Sequence, residues 1–279
     1  MQGTYLVSMY TILCPTDFST GAKRAAEFAT DLAKAWSAPL VLVHAYEVPQ
    51  SENLAAARLL EEVKALTEES LLREAKRLEG HGVQIRTEAL YGNLVSVVKD
   101  LVKDDPWHTF VVMGTRGASG FAQELFGTNA SAFMHHLPCP VWVVPEEAPK
   151  GLPKRIALAV DGLLEPATDG AFANAVVLGK RLGARVDAVH IHSDGEKPHV
   201  DWPEKEQRIR AHGLPVEVRR APGVEEGLLR FLAETQSDAL AFIARKHHWL
   251  LEIGHRSVSN ALVFHTHQPL LIMHEDRLA

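Results

Sequence analysis

The chain has 279 residues, which exceeds one typical domain and suits two of roughly 100 to 150 residues each. An apolar fraction of 46% and a charged fraction of 23% are ordinary for a globular protein and argue against a disordered chain. The formal charge of -6 supplies no clustered lysine and arginine footprint, so nucleic acid and acidic membrane surfaces are discounted as partners.

Tyr10 to Cys14 reads as a buried strand that breaks at Pro15-Thr16-Asp17-Phe18-Ser19, where Ser19 or Thr20 can cap a helix to about Trp36. Alanines at 22, 25, 26, 29, 33 and 35 leave that helix room to pack closely on a sheet. Leu40 to His44 is the second strand, nearly all apolar, as when helices cover both faces. Past a loop at Glu47 to Gln50, a long amphipathic helix runs from about Ser51 to Glu79, with Leu54, Leu59, Leu60, Val63, Leu66, Leu71 and Leu72 near helical spacing. Gly80 and Gly82 stop it. Val83 to Leu90 alternates as a third strand, Asn93 caps a short helix to about Lys103, and Thr109 to Met113 is the fourth strand.

Beyond Met113 the chain breaks at Gly114-Thr115-Arg116-Gly117, too glycine-rich for strand or helix. Gly127-Thr128-Asn129 then starts a helix carrying Ala132, Phe133 and Leu137, and Pro140-Val-Trp-Val-Val returns as the fifth strand. Apolar strands alternating with helices predict a parallel, doubly wound sheet. Pro145 to Pro153 has the proline and polar content of a domain boundary, giving domains at 1–147 and 153–279.

After that boundary the pattern restarts. Arg155 to Asp161 echoes Thr11 to Asp17, Val186 to His190 echoes Leu40 to His44, Ala239 to Ile243 echoes Thr109 to Met113, and Pro269 to Met273 echoes Pro140 to Val144. Strands matching in order identify an internal duplication. The second copy departs where chemistry is expected: Ala244-Arg245-Lys246-His247 stands where the first has Gly114 to Gly117, and Arg256-Ser257 falls opposite Gly127-Thr128.

Glycines at 114, 117 and 127 permit positive φ angles and let backbone amides lie against a ligand's oxygens, while the start of the 128 helix favours an anion. A glycine-rich turn with no ligand is the alternative. No Gly-Lys-[Ser/Thr] follows, so this is not the P-loop of nucleotide hydrolases. In an open parallel sheet of order 3-2-1-4-5, ligands bind beyond the strand ends where the order reverses, between strands 1 and 4. Asp17 ends strand 1 and Met113-Gly114 ends strand 4, so two separate sequence features converge. A carboxylate repels phosphate, which turns Asp17 toward a nucleoside; its alternative role is a helix N-cap.

Asp17 in Pro-Thr-Asp-Phe-Ser, with the spacing of Gly114, Gly117, Gly127 and Thr128, resembles the ATP-binding signature of the universal stress protein family. The resemblance spans the chain as tandem copies. It implies two Rossmann-like (adenine nucleotide alpha hydrolase-like) domains, each a five-stranded parallel sheet of order 3-2-1-4-5 flanked by helices. It further implies that Pro15, Thr16, Asp17, Ala45 and Met113 serve the nucleoside, and that Gly114, Arg116, Gly117, Gly127, Thr128 and Asn129 line the phosphates of ATP, which can carry its own Mg2+. Ala244, His247 and Arg256 replace the motif glycines in the second copy, so one nucleotide per chain is expected. Family members pair through their last strands; tandem duplication makes that contact an intramolecular pseudo-dimer, and a further homodimer is left open. The role implied is a nucleotide-dependent sensor or interaction module in stress response.

No catalytic residue is assigned. Arg116 is the only cation and Glu124 the only carboxylate around the glycine loop, fewer charges than phosphoryl transfer needs, so at most a slow ATPase is expected. The rival reading is a metal or other ligand in the histidine-rich second copy, at His247, His248, His255, His265, His267 and His274, although His265 and His267 are equally suited to capping a helix end. His44 and His190 recur at matching strand ends and read as hydrogen-bonded core histidines. Cys14 and Cys139 lie in or beside apolar runs with no metal or redox spacing, and read as buried thiols. No apolar run approaches the roughly 20 residues that span a bilayer, and MQGTYLVSMY lacks the regions of a signal peptide, so a cytoplasmic protein is expected.

Overall fold

The computed structural model describes residues 10–49, 54–106, 108–115, 130, 132–133, 137–160, 169–194, 201–244 and 267–274. In the first half these form β1 (Thr11–Pro15), α1 (Thr20–Trp36), β2 (Leu40–Tyr46), α2 (Leu54–Arg77), β3 (Ile85–Tyr91), α3 (Leu94–Val102), β4 (Thr109–Gly114) and β5 (Val141–Val144). The second half contributes β6 (Arg155–Ala159), α4 (Asp169–Leu182), β7 (Arg185–Ser193), α5 (Trp202–Ala211), β8 (Val216–Ala221), α6 (Val224–Thr235), β9 (Ala239–Ala244) and β10 (Leu270–His274).

These strands join in one sheet of order β3-β2-β1-β4-β5-β10-β9-β6-β7-β8. Read outward from its middle, each half has the same order, and every pairing is parallel except β5 with β10, which is antiparallel. The last strands therefore lie at the centre of the sheet. Val141, Trp142, Val143 and Val144 are all fully buried, and Leu271 pairs with Trp142 across the junction.

Alternation of side chains along each strand divides the core into two layers. Ile12, Cys14, Leu40, Leu42 and Val112 face α1 and α2, while Leu13, Val43, Val111 and Met113 face α3 and the segment of Ala130, Phe133 and Leu137. The helix ends follow local chemistry. Ser19 Oγ accepts from Ala22 N at 3.2 Å, and Asn93 Oδ1 accepts from Val95 N at 3.0 Å. After α2, Gly80 and Gly82 take φ of 93° and 73°, left-handed values that glycine adopts readily.

α2 departs from the sequence reading. Its leucines have helical spacing, yet Leu54, Leu59, Leu66 and Leu72 are exposed and only Thr67, Leu71 and Glu74 are buried. Leu66 and Leu72 stand next to buried Thr67 and Leu71 and lie off the face that meets the sheet, whereas Leu54 and Leu59 lie in the first turns, where a helix of about 36 Å outruns a strand of about 23 Å.

Candidate functional site

The first half of the sheet reverses order between β1 and β4. In register Leu13 lies beside Val111 and Pro15 beside Val43, which brings the ends of β2, β1 and β4 together. Pro15 and Ala45 share strand parity with Leu13 and Val43, so with Met113 they occupy one face of the sheet, the face that also packs Ala130 and Phe133. Three of the residues singled out in sequence thus meet at one crevice.

The β1–α1 turn is held by its own side chains. Thr16 N donates to Val43 O at 2.8 Å, Phe18 N donates to Thr16 Oγ1 at 3.0 Å, and Ser19 N donates to Asp17 Oδ1 at 3.1 Å. Ser19 supplies the side-chain cap, so the N-cap alternative for Asp17 is filled by its neighbour. Phe18 sits at φ 64°, a strained value for an aromatic residue, costing of order 1–3 kcal/mol. Its ring stacks on His44 at 4.9 Å, and His44 Nδ1–H donates to the Thr16 carbonyl at 2.6 Å. The sequence offered no sign of this strain.

Gly114 has a role that the glycine motif alone did not reveal. A Cβ there would stand 3.0 Å from the carbonyl carbon and oxygen of Gly21 and 3.3 Å from Ala22 N. Its missing side chain admits the first turn of α1, and its φ is not left-handed. Arg116, Gly117, Gly127, Thr128 and Asn129 lie outside the described residues, as do Asp161, His247, Arg256 and the loop carboxylate Glu124.

The second half repeats the frame with different parts. His190 Nδ1–H donates to the Val160 carbonyl at 3.0 Å, as His44 does to Thr16. The sequence counterpart of Phe18 is Gly162, and the aromatic partner of His190 is instead Trp202 from α5, stacked at 4.0 Å. Both histidines are thus tied into the sheet by backbone carbonyls. β9 ends on Ala244, the last strand residue where β4 ends on Gly114.

Two buried groups near β1 are committed to structure. Arg24 is buried, and its Nε donates to Ala148 O at 3.0 Å while a terminal nitrogen donates to Pro149 O, so α1 grips the segment joining the halves. Burial raises the Cys14 thiol, assisted by the Glu74 carboxylate and opposed by Arg77, and burial pushes Cys139 up to about 12. Neither is a nucleophile at neutral pH. Among the described residues no group of three or more metal-ligating side chains is present; His267 is exposed, 4.0 Å from Glu147. A largely apolar cleft lined by Tyr10, Trp36, Phe110 and Arg181 lies at the opposite end of β1 and does not touch the crevice.

A doubly wound α/β sheet whose strand ends converge at the reversal of strand order belongs to the class of open α/β folds that place a ligand crevice there. The family model for the universal stress protein family matches residues 9–145. A universal stress protein of Thermus aquaticus is 32% identical over 142 residues, covering 48% of this chain and 97% of the relative, and one of Methanocaldococcus jannaschii is 30% identical, covering 48% and 80%. A Mycolicibacterium smegmatis universal stress protein is 27% identical over 72% of this chain and 71% of its own. The crystal structure of a universal stress protein from Archaeoglobus fulgidus shares the fold across 95% of this chain and 98% of that chain, with a TM-score of 0.70 at 21% identity. The chain belongs to the universal stress protein family. Among the described residues no helix is long and apolar enough to cross a membrane.

Proposed function

We propose that the first half, residues 1–147, binds one ATP, and that the second, residues 153–279, is a domain of the same descent whose crevice no longer takes a nucleotide. The observation that carries this reading is the convergence of Pro15, Ala45 and Met113 on one face at the reversal of strand order. The turn that presents Asp17 there is strained at Phe18, and backbone strain clusters at ligand sites. Asp17 and the backbone near Ala45 serve the nucleoside; Gly114, Arg116, Gly117, Gly127, Thr128 and Asn129 cradle the phosphates, with any Mg2+ arriving on the nucleotide. Ala244, His247 and Arg256 carry side chains where that cradle needs glycine.

The module acts in the cytoplasm as a nucleotide-dependent sensor in stress response, its two domains forming an intramolecular pseudo-dimer through β5 and β10. Holding rather than cleaving the nucleotide fits the sparse charge around the loop. Native mass spectrometry of the intact chain tests this. One ATP per chain supports the reading, ADP with released phosphate favours a slow ATPase, and a chain that neither copurifies with nor takes up adenine nucleotide overturns it.

A further inference from the structure

The sheet has two open edges, β3 and β8, and they are built differently. On β8, Arg219 lies 2.6 Å from Glu217 and 3.8 Å from Glu234, and Arg220 is exposed beside them. On β3, Arg86 and Glu88 are exposed and have no ion-pair partner among the described residues. Edge charges ordinarily keep other strands away. These two, however, flank Thr87 symmetrically on one face of the strand.

In an antiparallel ladder with Thr87 facing its own copy, Arg86 of one chain stands opposite Glu88 of the other, and the reverse. Centring on Arg86 or Glu88 instead would place like charges in contact. Among ladders between two copies of β3, the charges therefore select this register.

We infer that β3 is a docking edge for a second copy of this chain, related by a twofold axis at Thr87 that continues the sheet across both molecules. Such an isologous contact is self-limiting, because each chain has one β3. The inference is independent of any nucleotide.

Sedimentation velocity of the full chain at about 100 µM tests it. The wild type should sediment at twice 30.7 kDa. Arg86→Glu and Glu88→Arg, each made alone, set like charges opposite one another twice and should weaken association at least about tenfold. Arg86→Glu combined with Glu88→Arg restores opposite charges and should return the dissociation constant to within about threefold of wild type. A monomeric wild type, a dimer indifferent to either single reversal, or a combined variant that stays dissociated overturns the inference.

Discussion

Replacing Gly114 with alanine separates two roles for that glycine, packing against α1 and accommodating a ligand. The added Cβ would meet three backbone atoms of Gly21 and Ala22 at 3.0, 3.0 and 3.3 Å. None can rotate aside, so the first turn of α1 must move by a few tenths of an ångström, a form of overpacking that costs about 1–3 kcal/mol. The φ of Gly114 suits alanine, so restriction of the unfolded chain offsets about 0.4–1 kcal/mol of this. The net loss is about 1–2 kcal/mol, or about 3–6 °C in melting temperature for a chain of this size. Urea unfolding of the unliganded protein measures it, with a lower midpoint and an unchanged slope. A Gly114→Ala protein as stable as wild type without ligand would contradict the packing role and leave Gly114 to the phosphate alone.

Three further outcomes follow from other contacts. Arg24→Gln removes the charged donor to the Ala148 and Pro149 carbonyls, and trypsin cleavage after Lys150 should accelerate about tenfold with the fold retained; an unchanged rate would mean that the joining segment is held by other contacts. Asp187, 2% exposed, accepts from Arg155 at 2.9 Å and Arg185 at 2.8 Å, so Asp187→Ala should lower stability by about 2 kcal/mol, a figure reduced for the solvent reaching both arginines. A loss under about 0.5 kcal/mol in urea unfolding would count against that ion cluster. For Cys139, whose folded value is raised from 9.0 to about 12, both states keep the proton below 9.0 and stability is unaffected there; above it only the unfolded chain ionises, so stability falls as pH rises. Cys139→Ala should remove about 1 kcal/mol of the loss between pH 9 and 10, and an unchanged pH dependence would place that thiol in water.

The strand alternation and its repeat were legible because buried parallel strands are written in apolar residues and helix starts in Ser19 and Asn93. The meeting of the ends of β1 and β4, which carry Asp17 and Met113-Gly114, was legible too because it needs only strand order, whereas Pro15 and Ala45 were named through the family resemblance. α2 misled because its leucines suggested the buried face, whereas the positions that meet the sheet are Thr67, Leu71 and Glu74, and Leu66 and Leu72 stand beside them on exposed sides of the helix. Gly114 was read for its conformational freedom, while its packing against Gly21 is a contact between residues far apart in sequence. The same holds for Arg24 and for Trp202, which takes over from Phe18 only because Gly162 leaves His190 without its neighbour's ring.

Isothermal titration of the intact chain with ATP tests the nucleotide assignment most directly. Binding at one ATP per chain, lost in Gly117→Val and weakened in Asp17→Ala, is the predicted result. Two ATP per chain, or binding that survives Gly117→Val unchanged, would contradict it.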